Sequence, residues 1–521
     1  MTLYPLGIQS FPDLIRDGYV YVDKTALIYQ LTHTFRGCFL SRPRRFGKSL
    51  LQSTIEAYFQ GEKDLFKGLA IENLETEWPQ HPVIHIDLNN GTYTSKEELT
   101  ESLIEVLEDL EDTYQVSNPK KTLGGRFNDV IKKAYASANK QRVVILIDEY
   151  DKPLLEVIQD EEAQNEYRKV LKPFYGTLKK AERYIRFIFI TGVTKFAKLS
   201  VFSDLNQLKD VSLLPEYATI CGITTQEMLS NFYSGIEEFA AKKSYSIEKM
   251  VTELERKYDG YHFSKTKEGV FNPFSLLNAL NDKEMSDYWF QTGTPNFLVE
   301  ALQEHHWDLS TLSGYKADAD LLTSIESMHS NPIPVIYQSG YLSIKRYEEK
   351  SETYILDFPN EEVERGFLRY LLPRYTDIGN STSKDEIDKF VEEVRRGEPV
   401  RFLLHLQALL GGWNYDLILD REAHYQNVLF VIFSLMKFQV KAEPRISNGR
   451  IDLVVETDKF VYIMEFKYKG TAQEAIDQIH NKGYAIPYQC DERTIYLMGI
   501  NFDSSTRNID PNWIIEEFQK P

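Results

Sequence analysis

Three short stretches of this 521-residue chain carry residue types and spacings suited to phosphate chemistry. In the first, an apolar run at 38–40 leads into a loop at 41–46. Gly47-Lys48-Ser49 then opens a helix-patterned segment, SLLQSTIEAYFQ. Strand, loop and helix in that order make a phosphate loop. Amide N–H groups of the loop and helix start, Arg45 and Gly47 among them, cradle phosphate oxygens; Lys48 reaches the β and γ phosphates and the Ser49 hydroxyl ligates Mg²⁺. Arg42 stands where such loops usually carry their first glycine.

The second stretch is VVILIDEYD, where five apolar residues deliver Asp148 and Glu149. Ligands of open α/β sheets bind at the C-terminal ends of the strands. There Asp148 would hold Mg²⁺ directly or through water, and Glu149 would orient and deprotonate the attacking water. A solvated strand end is the plainer reading, but two carboxylates after an apolar run call for a counter-charge, which a divalent cation supplies. A further run at 186–190 ends in Thr191, placed to sense a γ-phosphate; a buried strand ending in a turn explains it nearly as well.

The third stretch is GRIDLVVETDKFVYIMEFKYKG, two β-rich runs around a two-residue turn, Asp458-Lys459. Counting outward from the turn sets Val455 against Tyr462 and Asp452 against Glu465, and alternation puts Lys467 on the face of Glu465. Opposed carboxylates repel. A divalent cation held by Asp452 and Glu465, with Lys467 beside the attacking water, would relieve that repulsion and suit phosphodiester hydrolysis. A surface hairpin of alternating charge is the bland alternative.

These stretches need elements to position them. GCFLS, VIHIDLN, VVILIDEYD and YIRFIFITG alternate with longer helix-patterned segments, so the N-terminal part is an α/β domain with a mainly parallel sheet covered on both faces. From about 224 the pattern turns mainly helical, with clusters such as KYDGYHF, YWFQTGTPNFL and YQSGYLSI that suit packing and turns better than chemistry. The stretch YTDIGNSTSKDE reads as a linker, and the last unit as helix, hairpin, helix, strand. The expected division is 1–223 for the phosphate-loop domain, 224–380 for the helical middle and 381–521 for a C-terminal α/β domain of restriction-endonuclease type.

In combination, DGYVYVDKTALI, SRPRRFGKSLL, VVILIDEYDKP, FITGVTKF, YDGYHF, FNPFSLL, YQSGYL and FPNEEV resemble the bacterial AAA-ATPase-like family that carries a C-terminal PD-(D/E)xK nuclease-like domain. The resemblance covers nearly the whole chain, and RPRRFGKS without its first glycine is the usual form there. It implies that Tyr21, Asp23 and Lys24 form an N-terminal motif facing the nucleotide, although Asp23 serves equally well as a helix cap. It also implies helix residues Glu422, His424 and Tyr425 before the hairpin and Gln478 after it, with Glu422 as the preceding-helix acid; a lone helical histidine such as His424 is more often structural.

Composition narrows the partners. Net charge is −18, from 78 acidic and 60 basic residues, so any contact with DNA or RNA must be local. Cys38, Cys221 and Cys490 form neither a disulfide framework nor a zinc ribbon. No segment approaches the ~18 apolar residues of a membrane span, and a cytoplasmic protein without a membrane partner is expected. The expected function is an ATP- and Mg²⁺-dependent ATPase coupled to a nuclease acting on DNA or RNA. The alternative is a nucleotide-switched module whose nuclease-like domain docks protein or nucleic acid without cleaving. Arg44, Arg45, Arg183 and Arg186 lie near the motifs, but a second copy of the chain could equally supply an arginine finger, which leaves homo-oligomerisation open.

Overall fold

The computed structural model describes residues 3–89, 91–117, 120–195, 208–266, 268–290, 296–304, 307–323, 331–376, 383–411, 421–437, 440–447, 450–468, 470–503, 506 and 508–519, with the backbone alone for 296–297, 383, 421–423, 441–447 and 450–452. The chain forms two compact units. One comprises Met1–Leu298 and Gly314–Val363, the other Val299–Ser313 and Glu364–Pro521.

The first unit is built on a parallel sheet of β1 (Gly37–Ser41), β2 (Val83–Asp87), β3 (Val143–Asp148), β4 (Ile185–Gly192) and β5 (Lys209–Asp210). Every residue of β1 and β3 is buried, the mark of strands covered on both faces. The order is β2-β3-β4-β1-β5. β4 therefore lies between the phosphate-loop strand and the strand that ends in Asp148. Helices Thr225–Lys243, Ile247–Tyr258 and Pro273–Asp282 bury a second core around Phe232, Phe239, Leu254 and Leu276. Beside them runs an antiparallel sheet of β6 (Tyr315–Ala317), β7 (Ser343–Glu348) and β8 (Thr353–Asp357).

The second unit holds a mixed sheet of β9 (Lys441–Ser447), β10 (Arg450–Glu456), β11 (Phe460–Tyr468), β12 (Thr494–Asp503), β13 (Asn508–Ile509) and β14 (Ile514–Glu517). The register pairs Val455 with Tyr462 and Asp452 with Glu465, as the count from the turn predicts. Thr457 closes that turn by donating its N–H to the Phe460 carbonyl at 2.8 Å. Strand β9 was not anticipated, because KAEPRIS carries a proline and several charges; it forms an edge of the sheet, where a missing amide hydrogen is tolerated. Of the expected linker at 375–386, residues 377–382 lie outside the described residues, while Tyr375 ends one helix and residues 383–386 begin the next.

Candidate functional site

In the first unit, Gly47 adopts φ +85° and opens the Lys48–Phe59 helix, a left-handed geometry that glycine reaches without strain. Lys48 is buried beneath the loop. Its ammonium donates to the Arg42 and Pro43 carbonyls at 3.2 and 3.3 Å and pairs with Glu149 at 3.1 Å. Burial by itself would lower the Lys48 pKa, but the carboxylates of Glu149, Asp148 and Asp151 outweigh it and hold the ammonium charged. Arg42, in the place of the first glycine, does not face the loop interior. Its buried guanidinium donates to Ser41 O, Ser212 O and Tyr217 O at 2.8–2.9 Å and lies 4.1 Å from the Phe263 ring centroid. It anchors the base of the loop to 212–217. Arg45 sits exposed on the loop with its guanidinium over Phe274.

Because β4 separates β1 from β3, Thr191 meets Asp148 directly. The Thr191 hydroxyl donates to Asp148 Oδ1, which also accepts the Glu149 amide at 3.0 Å. Gln52, four residues after Lys48 on the same helix face, donates to Thr191 Oγ1 at 2.6 Å and to Ile147 O at 2.9 Å. Among the described residues, Asp148 Oδ2 and the Ser49 hydroxyl make no hydrogen bond, so both remain available as oxygen ligands for a hard cation.

The sequence reading missed Gln52 and Asp151. Asp151 is fully buried and accepts the Val193 amide at 3.2 Å and the Thr194 amide at 2.6 Å, fixing the turn after Thr191. Burial, reinforced by Glu149, pushes its carboxyl up to about 6. A β-carbon on Gly192 would lie 2.3 Å from Asp151 Oδ1, so the turn requires glycine. The one local signal for Gln52 was a polar residue on an otherwise apolar helix face; Asp151 gave none beyond its acidity.

Of the N-terminal motif, Asp23 is not the N-cap, a position that Lys24 holds; one residue ahead of it, Asp23 accepts Thr25 N at 2.8 Å and Ala70 N at 2.7 Å. Tyr21 and Lys24 line an apolar recess beside the phosphate loop, with Phe46, Gly47, Leu50, Ile220, Phe232 and Leu277. Lys24 is tied to Glu227 at 2.6 Å. The middle aromatic clusters pack, as expected, and their target is the loop itself. Phe46 meets Tyr261 and Phe263 edge-on at 4.7 and 5.3 Å, Trp289 donates its indole N–H to Arg44 O at 3.2 Å, and Gly340 approaches Pro43 so closely that a β-carbon would sit 2.7 Å from it.

In the second unit Glu465 is fully buried. The Lys467 ammonium donates to Glu465 Oε1 and, at 2.5 Å, to Gln478 Oε1 on the Ala472–Lys482 helix. That helix starts against β12 at Gly499, where a β-carbon would lie 2.4 Å from the Ala472 carbonyl, and Gly499 is the strand partner of Glu465. His424 stacks on Tyr375 with centroids 5.7 Å apart, and Tyr425 on Phe502 at 5.1 Å. The side chains of Asp452 and Glu422 lie outside the described residues. Among the described residues no group of three or more His, Cys, Asp or Glu could hold a metal ion.

Residues 5–202 match the family model described as predicted AAA-ATPase, and residues 420–512 that of the PD-(D/E)XK nuclease superfamily. An "Uncharacterized protein in vnfD 5'region" of Azotobacter chroococcum mcd 1 is 33% identical over 516 residues, 97% of each chain. The chain belongs to this AAA-ATPase-like family with a PD-(D/E)XK nuclease domain. The phosphate-loop residues thus fall in its ATPase-like domain, and Asp452, Glu465, Lys467 and Gln478 in its nuclease-superfamily domain. No helix among the described residues is long and apolar enough to cross a membrane.

Proposed function

We propose that the chain binds and hydrolyses ATP with Mg²⁺ in the first unit and cleaves nucleic acid with a divalent cation at the β10–β11 hairpin. The observation that carries the ATPase reading is the meeting of Lys48, Glu149 and Asp148 at one end of the parallel sheet. The recess lined by Tyr21, Phe46 and Leu277 is apolar and borders Gly47, so it suits the nucleobase, with the triphosphate running over Gly47 to Lys48. Ser49 and Asp148 Oδ2 would hold Mg²⁺, which neutralises charge on the transferred phosphoryl group. Triphosphate binding draws Lys48 away from Glu149, and the freed carboxylate takes a proton from the attacking water while Thr191, steadied by Gln52, keeps Asp148 oriented.

At the hairpin, Asp452 and Glu465 would ligate the second cation and Lys467, positioned by Gln478, would orient the attacking water. The direct pairing of Lys467 with Glu465 favours a second reading, a docking module, since a cation must displace that contact. We assign 1–223, 224–380 and 381–521 as functional segments of a cytoplasmic protein. Cleavage of single- and double-stranded DNA and RNA, with and without ATP, is the test. Mg²⁺-dependent cleavage lost in Glu465→Ala while ATP hydrolysis persists is the expected result. Cleavage surviving in that variant would remove the hairpin from the mechanism, and no cleavage under any condition would leave the docking reading.

A further inference from the structure

The N-terminal ends of β2, β3, β4 and β1 line the edge of the sheet opposite the phosphate loop. Arg36 immediately precedes β1, Arg142 immediately precedes β3, and Arg186 is the second residue of β4. Val143 pairs with Ile185 but Val144 with Phe187, so Arg186 is the extra residue of a bulge, a device that re-aims a side chain. His81, just ahead of β2, joins the row through its ring nitrogen and the Arg142 carbonyl, 2.8 Å apart. With strands spaced ~4.8 Å apart, these basic groups form a row roughly 14 Å long.

Among the described residues none of the three arginines forms an ion pair, and of the acids only Glu75 acts on Arg186, from a distance. Among the described residues, Arg36 and Arg142 make no ion pair and no side-chain hydrogen bond. Arg186 reaches only the Thr32 carbonyl at 3.5 Å and lies over the Phe59 ring. The acid facing this edge, Glu75, is buried and already accepts the Tyr58 hydroxyl at 2.5 Å and the Glu77 amide at 2.9 Å. Burial and then the charges of Arg142 and Arg36 lower the Arg186 pKa, as expected of crowded cations. A favourable contact with a helix C-terminus accounts for Arg186 but not for Arg36 or Arg142, which are exposed. In a chain with 78 acids to 60 bases, an edge with three such arginines is set up for an external anion.

We propose that this edge binds the sugar-phosphate backbone of nucleic acid, with Arg36, Arg142 and Arg186 each contacting a phosphate. Guanidinium groups match phosphate oxygens in fork geometry. A row one residue wide suits a strand rather than a broad anionic membrane surface. The inference rests on the reading of the second unit as a nuclease, because it supplies the local positive surface that a chain of net charge −18 needs to hold such a substrate.

The test is binding of a fluorescein-labelled single-stranded DNA oligonucleotide to the full chain in EDTA, which prevents cleavage, over about 50 to 300 mM KCl. The variant Arg36→Gln/Arg142→Gln/Arg186→Gln should bind at least tenfold more weakly and flatten the slope of log affinity against log salt by about 2, since each single-strand contact contributes about 0.7. Its binding of a fluorescent ATP analogue should equal that of the wild type. Should the triple variant misfold, Arg142→Gln alone should flatten the slope by about 0.7. An unchanged slope in a folded variant overturns the assignment, and Glu465→Ala cleavage then still judges the nuclease reading on its own. Wild type that binds phosphatidylserine vesicles but no oligonucleotide overturns it as well.

Discussion

At the scale of single residues, the Lys48–Glu149 pair is the pivot of the ATPase reading. On the proposed reading each group has a second task, phosphate for one and water for the other, which it could not perform while the two hold each other at 3.1 Å. Glu149→Gln removes the charge that competes with the triphosphate but also removes the base. Nucleotide binding should persist or tighten severalfold, while phosphate release falls by about 10²–10⁴. Fluorescent-nucleotide titration and a phosphate-release assay separate the two effects, and normal turnover in the variant would exclude Glu149 as the base. That Lys48, Asp148 and Glu149 would come together was legible only from the phosphate loop and the acid-ending strand taken in combination. Arg42 was legible only as an anomaly; that its guanidinium holds three carbonyls depended on 212–217 folding over it.

At the scale of elements, a helix reaches the hairpin by close approach at a glycine. The Ala472–Lys482 helix brings Gln478 to Lys467 because Gly499 has no side chain to hold it off. Gly499→Ala forces the helix start outward and should cost about 1–3 kcal/mol in urea unfolding. Nuclease activity should fall further than that stability loss explains, when measured well below the melting temperature, because Lys467 loses its second partner. Retained activity with lowered stability would show Gln478 to be dispensable. The hairpin register was readable because a two-residue turn and period-2 alternation are local. The position of the helix above it was not, since it depends on a strand some thirty residues further on.

At the scale of the whole molecule, charge and burial set the response to pH. Glu362 is 1% exposed, accepts the Trp289 amide at 2.7 Å, and is pushed by burial from 4.5 up to about 7. Between these values the folded chain binds more protons at this site than the unfolded chain, so the stability it contributes is full below about 4.5 and is lost as pH rises through 7. Glu362→Gln keeps an acceptor for Trp289 but cannot ionise. Urea unfolding from about pH 5 to 8 should therefore show the variant gaining on wild type as pH rises, by on the order of 1–3 kcal/mol at the upper end. A difference independent of pH would mean that the carboxyl does not titrate in this range. Trp289 also bonds the phosphate loop at Arg44, so the same experiment with nucleotide present reports on the site.

The sequence by itself marked the two candidate sites and the elements that carry them. Strand, loop and GKS helix, apolar strand ending in acids, and charged hairpin are each read within about twenty residues, where periodicity and turn geometry leave few alternatives. Tertiary structure decided what these pieces meet. Placing β4 between β1 and β3 put Thr191 against Asp148, and the packing of Tyr261, Phe263 and Trp289 set aromatic rings on the phosphate loop. The same strand order drew Arg36, Arg142 and Arg186 into one edge. Such contacts join residues far apart in the chain, and they are fixed by packing and hydrogen-bond satisfaction across the fold, which no local pattern encodes.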